Sequence, residues 1–433
     1  MTRRGASAGT LLVLSLGVSV LGAWGPAPAS SPADGTLAPE VTDGATASAG
    51  PVATPRPAPG HELYGFLPYW EMDATIADHL AKTPLTTLAL FSVTDTAKGS
   101  LNTGQTGYKR ITGDPGARII REAHQRGVRV ELVFTSFGEA RNRALFANEA
   151  RQDATIASLV ALAGDLGLDG ICVDIEGIDP LSVAEYGSFV RRLREAVVAA
   201  DPGDRVTVAT TAGGLGATMA AAAVVAGADR VFLMGYGYNV AGSSPGATSP
   251  LDRSDGDRDL AWSIGLYAAA GVPPERTLLG LPLYGMTWPV AGPAVGAPET
   301  GPGEAWILRR HLDVLADPTI VPLRDPQEMV EVYLFGSDGS TGPPSPGPTV
   351  SAGFPSPAAT VLPGRSSASP TATPGDISWT AVYVDSPATL APKMALANAN
   401  GFAGVGFWAI GYERGLPGYT ALMERFVAGG PLE

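Results

Sequence analysis

The chain has 433 residues, 45% of them hydrophobic, and carries 29 Lys and Arg against 42 Asp and Glu, for a formal net charge of −13. With no basic surplus to neutralise phosphates, this balance excludes a nucleic-acid partner and offers little to hold the chain on an anionic membrane surface, so a neutral substrate fits best. The lone cysteine, Cys172, leaves no intrachain disulfide to form, and a chain of this length must rely on its hydrophobic core instead.

Residues 1–29 read as an export signal. Arg3 and Arg4 form a charged start, residues 10–25 are apolar and uncharged, and Ala27-Pro28-Ala29 supplies the small-residue cleavage pattern. The apolar run is short for a membrane span and no charged stop-transfer flank follows it. The expected product is secreted, extracellular or associated with the cell wall, with no membrane attachment after cleavage. Residues 30–60, rich in Pro, Ala and Thr, read as a disordered linker.

From residue 61 to 433, short apolar runs alternate with helical patterns. Strands are predicted over 63–67, 86–91, 129–134, 170–175, 206–210, 230–234, 277–281 and 404–408, largely unalternated and rich in Val, Leu and Ile, as parallel strands buried on both faces are. A helix over 153–166 ends at Gly167, and another over 387–400 ends at Gly401. Asp179-Pro180 supplies an N-cap and a first-turn proline, after which Val183, Tyr186, Val190, Leu193 and Val197 form one apolar stripe. Residues 337–376, dense in Pro, Ser, Gly and Thr, interrupt this pattern before the last strand and read as a disordered insertion on one face. Eight strands, mostly followed by helices, predict an α/β fold, a (β/α)8 TIM barrel, whose active site lies at the C-terminal strand ends.

Asp174 and Glu176 close the fourth predicted strand. Positions two apart on a strand share a side, so both carboxylates can face the barrel mouth. Held together, one is kept protonated and able to donate to a glycosidic oxygen. Ordinary charged strand ends would explain one acid. Asp169, Asp174 and Glu176 around an otherwise apolar run weaken that explanation. Cys172 lies inside the run and reads as an inert buried thiol. His61, His79, His124 and His311 have no metal-ligand spacing, and no nucleotide fingerprint occurs, so neither a metal nor a cofactor is expected.

The segment Asp169-Gly170-Ile171-Cys172-Val173-Asp174-Ile175-Glu176 resembles the Asp-Gly-x-Asp-x-Asp-x-Glu signature of glycoside hydrolase family 18, the chitinase-like family. Four further pieces extend the likeness over most of residues 61–433. Gly65-Phe66-Leu67-Pro68-Tyr69-Trp70 resembles the first strand of the spore-germination, cell-wall-lytic branch. Met234-Gly235-Tyr236 resembles the family's sixth-strand element, the run from Gly280 to Gly285 with Trp288 its seventh-strand segment, and Gly404-Val405-Gly406-Phe407-Trp408 its last strand. The resemblance implies a retaining, substrate-assisted mechanism. Glu176 would be the general acid and base, Asp174 would orient the acetamido group, Tyr236 would hydrogen-bond its oxygen, and Trp408 would floor the bound sugar. Met234, with Tyr69, Trp70, Tyr284 and Trp288, is a further candidate for the substrate-binding surface, packing in the barrel rim being the competing role for each aromatic. Asp169 would be structural support. The implied substrate is a β-linked polysaccharide containing N-acetylglucosamine, chitin or peptidoglycan glycan, handled by a monomer.

Three positions depart from the pattern. Cys172 replaces the signature's middle Asp, and Gly237 stands where an Asp follows the sixth-strand Tyr, with Asn239 a candidate to compensate. Ser136-Phe137-Gly138-Glu139 only partly matches the third-strand Ser-x-Gly-Gly. These departures leave open a catalytically silent carbohydrate-binding barrel, or an envelope scaffold acting through its Pro-rich tracts.

Overall fold

The computed structural model describes residues 61–253, 258–339, 341 and 377–432. The export segment, the linker before residue 61 and nearly all of the Pro/Ser-rich insertion lie outside the described residues.

Eight parallel strands close into a barrel, bounded as Glu62–Pro68 (β1), Thr87–Val93 (β2), Arg129–Phe137 (β3), Gly170–Glu176 (β4), Arg205–Thr211 (β5), Arg230–Met234 (β6), Thr277–Pro282 (β7) and, after the segment described below, Gly404–Trp408 (β13). β1 pairs with both β2 and β13, which completes the ring. The predicted strands all fall within these, apart from Thr86, which lies one residue before β2. Burial on both faces explains why they read as continuous apolar runs. Outward residues such as Leu63, Leu132, Ile171 and Val231 pack under the helices, while Tyr64, Phe66, Phe91, Val133, Cys172, Phe232 and Leu278 fill the interior. The Phe232 ring takes space that two glycines leave: a Cβ on Gly280 or Gly406 would stand 2.4 or 2.5 Å from it.

The helices outside the ring are set by local chemistry. Asn148 caps the helix Glu149–Leu166 by accepting from Arg151 N, and Gly167 ends it in the left-handed region. Ser386 and Thr389 form a reciprocal capping box on the helix Pro387–Ala399. Asp179 caps a 3-10 turn, Pro180–Ser182, and the helix proper runs Val183–Ala200 with Tyr186, Phe189, Val190, Leu193 and Val197 buried.

Between β7 and β13 the chain builds an antiparallel sheet that the strand prediction missed. Its strands are Tyr284–Val290 (β8), Glu304–Ile307 (β9), Leu323–Asp325 (β10), Val330–Gly336 (β11) and Trp379–Val384 (β12), in the order β10-β11-β12-β8-β9. Alternate residues Met286, Trp288, Val290, Val332, Leu334, Ala381 and Tyr383 form its own core. β11 and β12 pair out to Gly336 with Trp379, so the insertion joins two neighbouring strands at one end of this sheet. A buried ion pair, Lys393 Nζ to Asp385 Oδ1 at 2.5 Å, ties the end of β12 to the helix that follows it.

Candidate active site

β4 delivers the acids. Cys172 and Asp174 alternate inward along it, and Glu176 ends it beside Phe137 of β3. Left-handed Gly177, with φ of 68°, then turns the chain away. Asp174 is 5% exposed, and its Oδ1 has no hydrogen-bond partner among the described residues. An ionised carboxylate is costly in such a position, so burial, and after it the charge of Glu176, raises the Asp174 carboxyl well above the usual range. Burial likewise pushes Glu176 up to about 7. The two acids therefore hold a proton between them near neutrality.

Tyr236, just beyond β6, stands close enough for the charges of Asp174 and Glu176 to add to the burial that raises its phenol. Its ring meets Tyr284 edge-on at 6.3 Å. Tyr284, on the first residue of β8, shares a 3.4 Å contact with the Thr248 hydroxyl, which also accepts from Gly237 N at 3.1 Å. Gly237 is left-handed, with φ of 79°, so the missing carboxylate coincides with a backbone turn that favours glycine. Asn239 does not replace it, since its amide holds Ser244 O at 3.0 Å and its oxygen accepts from Arg253 within the same loop.

Opposite these groups lies an aromatic patch. Trp408, at the end of β13, packs edge-on against Phe91 of β2 at 4.7 Å and against Trp70 at 6.3 Å. Trp70 is 43% exposed, is flanked edge-on by Tyr69, and donates from Nε1 to the Tyr412 hydroxyl at 3.1 Å. Met234 is buried in the barrel interior beneath Tyr236 and Trp408. The peptide bonds Phe91–Ser92 and Trp408–Ala409 are cis.

Two sequence candidates lie elsewhere. Trp288 is fully buried in the antiparallel sheet, its Nε1 donating to Ser243 O, so its ring packs and is not available to stack on a sugar. Asp169 sits at the opposite end of β4, where Oδ2 accepts from Val130 N at 2.7 Å and lies 2.9 Å from His124 Nε2. Sequence reasoning also passed over Phe91 and Tyr412, which orient the two tryptophans, and Glu131. The last is a carboxylate inside the barrel that accepts from the hydroxyls of Tyr64 and Thr207 at 2.7 and 3.1 Å. Burial pushes it up to about 7 against the pull of those two bonds. Among the described residues no three His, Cys, Asp or Glu are grouped as a metal ion would need.

A carboxyl still protonated near pH 7, a buried oxygen beside it free to accept, a phenol and an apolar patch together can protonate, orient and seat a sugar. The chain matches the glycosyl hydrolases of family 18 over residues 66–413. It is 26% identical over 147 residues to the Bacillus subtilis (strain 168) protein named "Putative sporulation-specific glycosylase YdhD", a match that spans 31% of each chain, less than a third of that relative's length. Its fold is similar to that of the Bacillus cereus spore cortex-lytic enzyme SleL, with a TM-score of 0.62 at 17% identity over 85% of this chain and 75% of the other. It is equally similar to a family 18 N-acetylglucosaminidase from Paenibacillus barengoltzii, with a TM-score of 0.63 at 18% identity over 85% and 100%. With a match that runs from the first barrel strand to the loop beyond the last, the chain belongs to glycosyl hydrolase family 18.

Proposed function

We propose that this chain is a secreted hydrolase of β-linked, N-acetylglucosamine-containing polysaccharide that works with retention of configuration and with help from its substrate. The observation that carries the proposal is the pairing on β4 of a carboxyl held protonated to about 7, Glu176, with a buried carboxylate oxygen, Asp174 Oδ1, that no group among the described residues satisfies. A buried acceptor without a donor costs about 1–3 kcal/mol, a cost that an acetamido N–H would offset. Glu176 donates its proton to the leaving glycosidic oxygen. The acetamido carbonyl oxygen attacks C1 of its own sugar from the opposite side, and an oxazolinium ion forms as the glycosidic bond breaks. Asp174 accepts from the acetamido N–H and balances the positive charge, and the Tyr236 hydroxyl donates to the acetamido oxygen. Glu176, now ionised, takes a proton from water as that water attacks C1 and the carbonyl oxygen leaves. Trp408 and Trp70 provide apolar surface beneath the sugar.

Export is supported by residues 1–29 of the sequence. Between the two polymers, the names of the similar Bacillus proteins, a spore cortex-lytic enzyme and a sporulation-specific glycosylase, favour the peptidoglycan glycan over chitin. Cys172 and Gly237, which stand where the family has carboxylates, favour a second reading, a barrel that binds such sugars without cleaving them. One assay separates the two: purified protein on chito-oligosaccharides and on peptidoglycan, with products and their anomeric configuration followed over time. The first reading expects β-anomeric products that disappear in Glu176→Gln. Binding without turnover of either polymer at any pH would overturn it.

A further inference from the structure

The end of β4 is held by a hydrogen-bonded chain that no step above uses. Asn142, on the helix Glu139–Phe146, is fully buried, and its Nδ2 donates to Glu176 O at 2.6 Å and to Gly177 O at 3.3 Å. Its Oδ1 accepts from the Ser136 hydroxyl at 2.7 Å. That hydroxyl accepts in turn from Arg141 Nε at 3.1 Å, which leaves its own proton for Asn142. Arg141 Nη2 donates to Asp95 O at 2.8 Å and to the Asp95 carboxylate, which is buried and also takes Arg151 Nε at 2.7 Å. Direction passes along this chain without ambiguity. Guanidinium groups are only donors, so Ser136 must accept on one side and donate on the other, and the Asn142 amide must then present its NH2 to β4. Glu176 O takes a second bond from Gly138 N at 3.0 Å.

We propose that Asn142, oriented by Ser136 and by the Asp95–Arg141 pair behind it, is a positioning residue that fixes the backbone of Glu176 and so aims its carboxyl beside Asp174. The proposal rests on the assignment of Glu176 as the acid. Left-handed Gly177 follows immediately and could otherwise let the strand end swing, and a reacting group misplaced by about 1 Å costs on the order of 100-fold in rate. Asn142→Asp keeps the shape but sets oxygen against two carbonyl oxygens. Ser136→Ala keeps Asn142 but frees its amide to turn.

The test measures kcat, KM and the pH profile of kcat/KM for both variants on a chito-oligosaccharide or peptidoglycan substrate, beside Glu176→Gln, with thermal unfolding as the check of the fold. Asn142→Asp is expected to lower kcat roughly 10- to 100-fold with KM within about twofold, and Ser136→Ala to lower it several-fold. In Ser136→Ala, which adds no charge, the alkaline limb should move below its wild-type position, because a loosened Glu176 gains water; a residue needed only for folding would leave that limb in place. Folded variants with wild-type kcat and an unmoved limb, beside an inactive Glu176→Gln, would sink the positioning role and leave the acid standing. An active Glu176→Gln would sink both. Should Asn142→Asp fail to fold, Ser136→Ala decides by the same criteria.

Discussion

The two ends of the barrel strands use carboxylates in opposite ways. At the N-terminal end they are satisfied by protein: Asp169 and Asp229 accept from Val130 N and Val206 N at 2.7 and 2.8 Å, and Glu62 takes Arg230 and Arg205 at 2.7 and 3.3 Å. At the C-terminal end one oxygen of Asp174 has no partner among the described residues, and burial raises both it and Glu176. One end uses its acids to hold strands in register; the other holds a proton between its two acids and leaves them short of partners, which weakens the fold locally and readies it for a ligand. Residue type is thus a poor guide to role, and what completes the hydrogen bonds is a better one.

The largest expected effect breaks this comparison at the mouth. Glu176→Gln should lower kcat roughly 10²- to 10⁴-fold, the usual worth of a general acid, while binding of an uncleaved oligosaccharide by calorimetry stays near wild type. The same assignment fixes the alkaline side of the wild-type profile. Glu176 must be protonated to donate, so kcat/KM should hold below about 7 and fall about tenfold per pH unit above it. A limb near the ordinary range of glutamate, around pH 4.5, would mean that another group gives the proton.

The interior carboxylate between the two ends sharpens the comparison through stability. Glu131 is raised from 4.5 to about 7, so over that interval the folded state holds a proton that the unfolded chain has lost. Stability from this group is complete below pH 4.5 and is lost as pH rises through about 7, a change on the order of 3 kcal/mol. Glu131→Gln imitates the protonated form and cannot ionise. In urea unfolding it should match wild type near pH 4 and exceed it near pH 8. Equal differences at the two pH values would show that Glu131 does not titrate with folding.

How far the sequence reveals these roles depends on distance along the chain. The barrel strands are legible because two-sided burial writes itself as unbroken apolar runs, and Asp174 and Glu176 because a two-residue step fixes their side. The sheet β8–β12 is not, although Val330, Val332 and Leu334 alternate cleanly, because a Pro/Ser-rich stretch separates its central strand β12 from both partners, β8 and β11. Trp288 illustrates the same limit, since its position after the seventh strand suggests a sugar platform and only pairing with β12 buries it. Asn142 reaches Glu176 across 34 residues, and Tyr412 reaches Trp70 across 342, with no local pattern to announce either.

Asp169 gives the smallest effect and the cleanest contrast with Glu176, since both lie on or beside the same strand. Removing its carboxyl by Asp169→Ala strips Val130 N of its acceptor at the start of β3 and His124 of its partner. An unsatisfied backbone N–H costs about 1–3 kcal/mol, and partial solvent access at this end favours the lower part of that range. Thermal unfolding should therefore shift down by about 1–2 °C, since an unfolding entropy of about 2.1 cal/mol/K per residue, summed over a barrel of this size, gives a little over 1 °C per kcal/mol. The strand's far end is braced independently through Phe137 and Gly138, so kcat and KM should stay within about twofold of wild type. A fall in kcat comparable to that of Glu176→Gln, in a variant that still folds, would mean that the two ends of β4 are coupled and that the division of labour between them is wrong.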